Sequence, residues 1–528
     1  MYNLLTDPLI TAELADGERS RFALPEVFAA MIRNEVAGFP ALRPHQSAAW
    51  HCFLAQLGAL TLHRAEKTTL PDTPEDWRDL LRGLTPDFAD EEPWRLIVED
   101  GAKPAFLQPP EPTGIRYTGR AETADMLDML IGQKNHDLKD DSLQHSAPED
   151  WIFALISKQT GDGFNGSGNY GIARMNGGSS SRLTMGLAPL AAQQAAPTPG
   201  GRLRHDLMLL RDSRTQQLKE NAALQYPERG GIALLWLFPW PLEEKSGLAL
   251  QELDIWFIEI CRRIRLQQRD QGIYALTGTS KKERVAAKAN KGNIGDPWAP
   301  VEKSGKTITF GERRFSYKAI SDWLFKGDFT LPVSLRGADL SRHDGDWALI
   351  LQVIGRGNSK THGYHERRII FPREIGKYTL TEREKLQRLS KELMDEIAVL
   401  DRALGHAIAI AASHGRGEGP KKDNYGKGKY WRDQLDDLAD RQFFPTLWKI
   451  FEATLEEDDQ AHDAAKHHYL RALIGAAEAF LNEACDSVAG ATFRHRARAR
   501  AQRRFYGGIR KEFDWYKSSK KETDHAAA

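Results

Sequence analysis

The sequence predicts an α+β fold: a large mixed N-terminal domain over residues 1–375, followed by a C-terminal antiparallel four-helix bundle over residues 376–528. Three observations predict it. Strand-like and helix-like patterns interleave as far as residue 375, four long stretches of helical periodicity follow Pro372 without a convincing strand, and short polar or Gly-rich loops join those stretches. At 41% hydrophobic and 28% charged residues, the chain has the apolar content for several buried cores. That composition excludes wholesale disorder, a collagen-like sequence and a disulfide-stapled miniprotein.

Taken in order, residues 42–62 carry Trp50, Phe53, Leu54, Leu57 and Leu60 at helical spacing, with Pro44 where a first turn tolerates it. Residues 73–84 (TPEDWRDLLRGL) open with Thr, Pro and acidic side chains before an apolar run, which predicts a capped helix. Residues 149–160 repeat that logic after Pro148, with Trp151, Ile152, Leu155 and Ile156 on one face. Residues 232–240 read as a buried strand and 307–317 as a small hairpin around Gly311. A second hairpin is expected from 347–354 and 364–371, with the polar tip 355–363 between them. The bundle helices are expected over 380–413, 427–455, 461–488 and 492–516, with Leu393, Ile397, Leu400 and Leu404 recurring at threes and fours. The polar tail after Lys517 is expected to fray.

No window approaches the roughly 18 apolar residues of a membrane span. The first residues lack the basic and apolar regions of a secretory signal, so a cytoplasmic protein is expected. Cys52, Cys261 and Cys485 each fall in an apolar helical pattern and are too scattered for a disulfide framework or a zinc site, so buried reduced thiols are expected. The 73 Lys and Arg balance 73 Asp and Glu, but unevenly along the chain. Lys281, Lys282, Arg284, Lys288 and Lys291 surround the single Glu283, and residues 492–511 hold eight basic side chains with no acidic one. Either run serves as a solvated face or meets phosphates.

Residues 161–178 (GDGFNGSGNYGIARMNGG) hold seven glycines and two overlapping GxGxxG patterns. A dinucleotide site needs a strand before that pattern and a helix after it. Here a helix precedes it and turn residues follow, and no Gly-Lys-Ser/Thr completes a phosphate loop, so no cofactor is expected. Such glycines remove side chains, letting backbone approach a ligand closely or adopt positive φ, though a tight surface loop uses them too. The neighbours Asn165, Asn169, Arg174, Asn176 and Arg182 are types that contact nucleic-acid edges and phosphates. His-Asp pairs at 136–137, 205–206, 343–344 and 462–463 raise a competing reading, a metal-dependent phosphohydrolase or nuclease of HD type. Such an enzyme needs further His and Asp side chains brought to one of these pairs; chance and helix-end preference are the preferred account of them. The spacing of His45 and His51 does not align them on one helix face, so both read as structural.

Residues 3–10 (NLLTDPLI), 42–46 (LRPHQ) with 49–51 (AWH), 134–139 (KNHDLK), the loop 163–182, 295–298 (GDPW) and 364–368 (YHERR) together resemble the CasA family, the large subunit of the type I-E CRISPR surveillance complex Cascade. The resemblance runs from the first residues to the hairpin near 370, and the four-helix pattern is similar to the family's C-terminal bundle. It implies a subunit without nuclease activity of its own, whose partners are crRNA, the other Cascade subunits, target double-stranded DNA and a separate helicase-nuclease, with no membrane. By the same resemblance, Gly163, Asn165, Gly166, Ser167 and Gly168 form a loop that meets the DNA minor groove at the protospacer-adjacent motif, and one of Lys282, Lys288 and Lys291 reads that groove. The hairpin residues Asn358, Lys360, Thr361 and His362 correspond to a duplex-splitting wedge, although no glutamine stands at this tip as in the family. Lys134, Asn135, His136 and Lys139 match a loop that docks on the crRNA 5′ handle and a neighbouring subunit, and Arg498, Arg500, Arg503 and Arg504 would lie along the DNA backbone.

Overall fold

The computed structural model describes residues 2–131, 143–178, 180–191, 196–242, 247–269, 272–311, 314–337, 343–357, 360–379, 381–413, 422–488 and 494–516. The chain forms two compact units, one from the residues up to Phe315 with Asp328–Arg373, the other from Ser316–Gly327 with the residues from Glu374 onward.

The first unit is built round the helix Ser47–Arg64, in which every residue from Trp50 to Leu62 is buried. A helix buried on all sides belongs in the middle of a core. It packs against the helices Pro148–Gly161 and Pro199–Glu220 and the strand Leu253–Ile258. Pro44 opens a short 3₁₀ turn, Pro44–Gln46, that leads into it. Thr73 caps the helix Pro74–Arg82 by accepting from the Asp76 amide at 3.3 Å, as the sequence predicts.

The expected hairpin is the strand pair Trp347–Gly357 and Lys360–Phe371, in register from Trp347↔Phe371 to Gly357↔Lys360. Its ladder runs further than the sequence suggests, so Lys360, Thr361 and His362 belong to the second strand and not to a long polar tip. A bulge makes this possible. Gly355 pairs with Gly363 but Arg356 pairs with Thr361, leaving His362 as the extra residue, and Gly363 takes φ +95°. A third strand, Thr184–Pro189, adds antiparallel to Trp347–Gly357. Its sequence TMGLAP lacks alternation because nearly all of it is buried, and its Gly and Pro read as loop.

Two expected elements differ. The buried strand of 232–240 is a strand only over Ile232–Leu234, followed by a 3₁₀ turn at Leu235–Leu237. Pro239 and Pro241 deny a ladder its donors, and the freed carbonyls accept from arginines instead. Arg284 donates to Leu235, Phe238 and Pro239, each at 3.0 Å, and Arg263 donates to Trp240 at 2.6 Å and Pro241 at 3.0 Å. The small hairpin is Val301–Glu302 with Lys306–Thr307, turning at Gly305, and not 307–317 around Gly311. Ser316 instead caps the helix Tyr317–Phe325 by accepting from the Ala319 amide at 3.3 Å.

In the second unit, Arg383–Ala412, Lys429–Leu455, Asp459–Val488 and Arg494–Glu512 are the four long helices predicted, and the first packs on the other three. Leu393, Ile397, Leu400 and Leu404 are buried on Arg383–Ala412, and Leu470, Leu473, Ile474, Ala477 and Leu481 on Asp459–Val488. Tyr317–Phe325 joins this unit: the Tyr317 amide donates to Asp440 at 2.6 Å, and Arg383 donates to the Leu324 carbonyl at 2.8 Å. Among the described residues no helix is long and apolar enough to cross a membrane. All three cysteines are buried and free, although Cys261 follows the strand Leu253–Ile258 and is not helical. Burial pushes the Cys52 and Cys261 thiols up to about 12.

Candidate nucleic-acid interface

The Gly-rich loop leaves the buried end of the helix Pro148–Gly161 and returns to the sheet at Ser181, whose amide donates to the Ile354 carbonyl at 3.0 Å. Its two limbs cross where Gly163 meets Gly171: a Cβ on Gly171 would lie 2.5 Å from the Gly163 carbonyl carbon. Gly163 is itself buried, and a Cβ there would stand 2.3 Å from the Ser180 carbonyl oxygen. This glycine therefore serves the packing of the loop and does not face outward. Beyond the crossing the chain turns tightly, the Asn165 amide donating to Asn169 at 3.0 Å and the Asn169 amide to Gly166 at 3.1 Å. Gly166 and Gly168 take φ +82° and +79°, which only glycine adopts without strain. Phe164, Asn165, Gly166 and Ser167 form the exposed tip, and Phe164 is 41% exposed despite its size.

The base of the loop is gripped by Arg262. Its guanidinium donates to Asp162 at 2.9 Å, to the Gly163 carbonyl at 2.6 Å and to the Tyr170 carbonyl. Asp162 is wholly buried. Burial alone would raise its pKa, but Lys158, Arg262 and Arg356 outweigh that and hold the carboxyl well below the usual range.

The basic loop that follows the strand Gly272–Gly278 packs directly on this structure. The Lys281 amide donates to the Gly168 carbonyl at 2.8 Å, and Gly292 sits so close to the Met175–Asn176 peptide that a Cβ would come within 2.7 Å of it. Two segments more than a hundred residues apart thus form one surface. Lys281, Lys282, Lys288 and Lys291 are exposed on it, beside a cleft of about 190 Å³ lined by Phe164, Tyr170, Met175, Glu283 and Lys288. Arg284 is not available to a ligand there, being buried on the carbonyls of 235–239. Two further expectations are corrected. Arg174 is buried against Glu259 at 3.2 Å and over the Phe257 ring, and Arg182 is buried against Asp296 at 2.6 and 2.5 Å. Both hold the fold under the loop instead of facing nucleic acid. Burial keeps the Glu259 carboxyl raised in spite of Arg174.

The family model for CRISPR-associated protein Cse1 matches residues 3–488, nearly the whole chain. The chain belongs to the Cse1 family. Cse1, also called CasA, is a subunit of the type I-E CRISPR Cascade. Three solved structures have the same fold: Thermus thermophilus CasA (17% identity, TM-score 0.62, 97% of this chain and 99% of that one), Acidimicrobium ferrooxidans Cse1 (15%, 0.62, 97% and 98%) and Thermobifida fusca Cse1 (14%, 0.61, 96% and 98%). A comparison with curated proteins found no match.

The remaining expected sites of this Cse1 chain are placed unevenly. Lys134, Asn135, His136 and Lys139 lie outside the described residues, as does Asn358. The residues that flank 132–142 are held by the LRPHQ motif. Asp128 accepts from His45 and Gln46 at 2.8 and 2.7 Å and from the Leu130 and Ile131 amides at 2.8 and 3.0 Å. Asp125, paired with Arg43, accepts from the Leu143 amide at 2.7 Å. Sequence reasoning took His45 as structural but could not see this clasp, because its carboxylates lie some eighty residues away.

On the helix Arg494–Glu512, Ala497, Ala501, Phe505 and Ile509 are buried as one stripe, and Arg503 and Arg504 are exposed. Arg498 is partly committed, donating to Asp486 at 3.3 Å and Asn482 at 3.1 Å; Arg500 is half-buried. The ring of Phe505 is in the core, and the Tyr506 hydroxyl donates to Glu478. The described His-Asp pairs are engaged separately, two of them with partners outside the pair. Asp206 accepts from His51 at 2.7 Å and Trp298 at 2.9 Å, His343 meets the Leu190 carbonyl at 2.6 Å, and His462 meets its own neighbour Asp463 at 3.1 Å. His136–Asp137 lies outside the described residues. Among those described, no three His, Cys, Asp or Glu side chains converge as a metal site would require.

Proposed function

We propose that the chain is the non-catalytic large subunit of a crRNA-guided type I-E Cascade, acting in the cytoplasm. In this reading it recognises the protospacer-adjacent motif in double-stranded DNA through the minor groove, helps to open the duplex and recruits a separate helicase-nuclease. The observation that carries the reading is the joint surface made when Lys281 donates to Gly168: an exposed tip, narrowed by Gly166 and bordered by Gly168, stands beside four exposed lysines. A tip of this kind can enter a groove about 6 Å wide, and the lysines supply phosphate contacts at its rim. Asn165 and Ser167 present donors and acceptors to base edges; Gly166 and Gly168 give the tip its shape, and Gly163 fixes its base.

Minor-groove reading separates A·T from G·C pairs but little beyond that, so several related motifs are accepted, and sequence identity is left to guide pairing. Lys282, Lys288 and Lys291 are the candidates for the groove-reading cation, and Asn358, Lys360, Thr361 and His362 for the wedge. Lys134, Asn135, His136 and Lys139 are assigned to the crRNA handle, and Arg498, Arg500, Arg503 and Arg504 to the DNA backbone.

The test is Gly166→Asp in the assembled complex. Nothing lies within 4 Å of where its Cβ would be, so the protein folds, but a carboxylate now meets the groove. Binding of a motif-bearing duplex should weaken at least about tenfold, equivalent to roughly 1.4 kcal/mol, with assembly unchanged. Unchanged duplex binding overturns the assignment.

A further inference from the structure

We propose that Asp162 and Arg356 form a buried node that couples the turn at 128–131, which precedes the residues assigned to guide RNA, with the Gly-rich loop and hairpin assigned to DNA, so that docking at one tightens the other. This rests on the functional reading above and adds a means of regulation to it. Three cations converge on one carboxylate: Lys158 and Arg262 at 2.9 Å from one oxygen of Asp162, and Arg356 at 2.9 Å from the other. All four side chains are buried or nearly so. One negative charge cannot neutralise three positive ones, and both guanidiniums also donate to main-chain carbonyls at the candidate binding elements or beside them.

Arg262 takes Gly163 and Tyr170, the two feet of the exposed tip. Arg356 takes Met129, next to Leu130 and Ile131, whose amides are held by Asp128 immediately before residue 132. Arg356 itself lies one residue before Gly357 in the hairpin, on the strand opposite the bulge, where such irregularities re-aim side chains. Here each guanidinium has one edge on Asp162 and another on a loop, so withdrawal of either loop leaves a buried cation short of acceptors and shifts the shared carboxylate's load to the other. Asp162 and Arg356 are positioning residues: they act on nucleic acid through the loops they hold.

Hydrogen exchange on the wild-type chain tests this without a variant. Docking onto the guide-loaded remainder of the complex, with no DNA present, should slow exchange at residues 163–172 as well as near 130–131, by at least about tenfold at both. Protection confined to 130–131 overturns the coupling. Arg356→Lys keeps the charge but cannot span Asp162 and Met129 together, and it should speed exchange at both segments while leaving the helix Ser47–Arg64 unchanged. A linkage cycle separates this inference from the reading beneath it. The affinity of the chain for the guide-loaded remainder is measured with and without motif-bearing duplex. In wild type the duplex should raise it about tenfold, and in Arg356→Lys by less than about twofold. A wild-type ratio of one overturns both the DNA reading and the coupling; a raised ratio that survives Arg356→Lys overturns the coupling alone.

Discussion

Gly163 and Gly166, three residues apart in one loop, are glycine for opposite reasons. At Gly163 a Cβ has no room, with the Ser180 and Gly178 carbonyl oxygens 2.3 and 2.7 Å from its position; at Gly166 it has ample room, and only the φ of +82° resists it. Gly166→Ala is therefore expected to cost about 1 kcal/mol of stability, the left-handed penalty, and Gly163→Ala about 3 kcal/mol, since the obstructing atoms are backbone and cannot swing aside. Denaturant unfolding of the two variants measures this, and equal losses would contradict the packing role given to Gly163. The run of glycines was plain in the sequence, but the task of each was not, because it depends on residues met only after the chain turns back. Arg174 and Arg182 were misread for the same cause. Their partners Glu259 and Asp296 lie 85 and 114 positions away, and no local pattern announces a pairing at that range.

At the level of elements, legibility followed periodicity. The four long helices, the capped helix after Thr73 and the main hairpin all carry repeating apolar patterns, and all were readable. The strand Thr184–Pro189 and the 3₁₀ turn at Leu235–Leu237 carry none, since burial on all sides erases alternation and arginine donors replace a ladder. The helix Arg494–Glu512 shows what a pattern leaves open. Its basic residues were visible, yet only the structure separates Arg498, engaged with Asp486 and Asn482, from the exposed Arg503 and Arg504. If that exposed face lies along phosphates, Arg503→Ala with Arg504→Ala should weaken binding to all duplex sequences alike. The slope of log affinity against log salt should fall by up to about 2, close to 0.9 for each phosphate no longer neutralised. Because neither side chain is in the core, the unfolding midpoint should stay put. An effect limited to one motif sequence would argue against a backbone role.

For the whole molecule, stability should depend on pH through histidines of the first unit, above all the buried His51. Burial is the main cause that pushes His51 down to about 4, against the raising influence of Asp206, and it lowers His63 and His205 as well. A histidine that stays neutral when folded but takes a proton near pH 6.5 when unfolded contributes stability above that pH, and the contribution is lost as the pH falls toward the folded value. For His51 the window is pH 6.5 to about 4, with a slope near 1.4 kcal/mol per pH unit. His51→Gln should flatten the unfolding free energy across that window by about one proton, and an unaltered slope would show that His51 is protonated in the folded protein. The balanced charge of 73 against 73 gains meaning at the same scale. Several arginines that the sequence suggested for nucleic acid are spent inside, whereas the Lys281–Lys291 loop keeps four lysines exposed and the last long helix keeps Arg503 and Arg504 exposed. The grip of Arg262 has one more consequence. It holds the glycine loop by the carbonyls of Gly163 and Tyr170, atoms that every amino acid possesses, and asks nothing of the side chains at 165 and 167. What the tip says to a ligand can therefore be rewritten, generation by generation, without disturbing what keeps the tip in place.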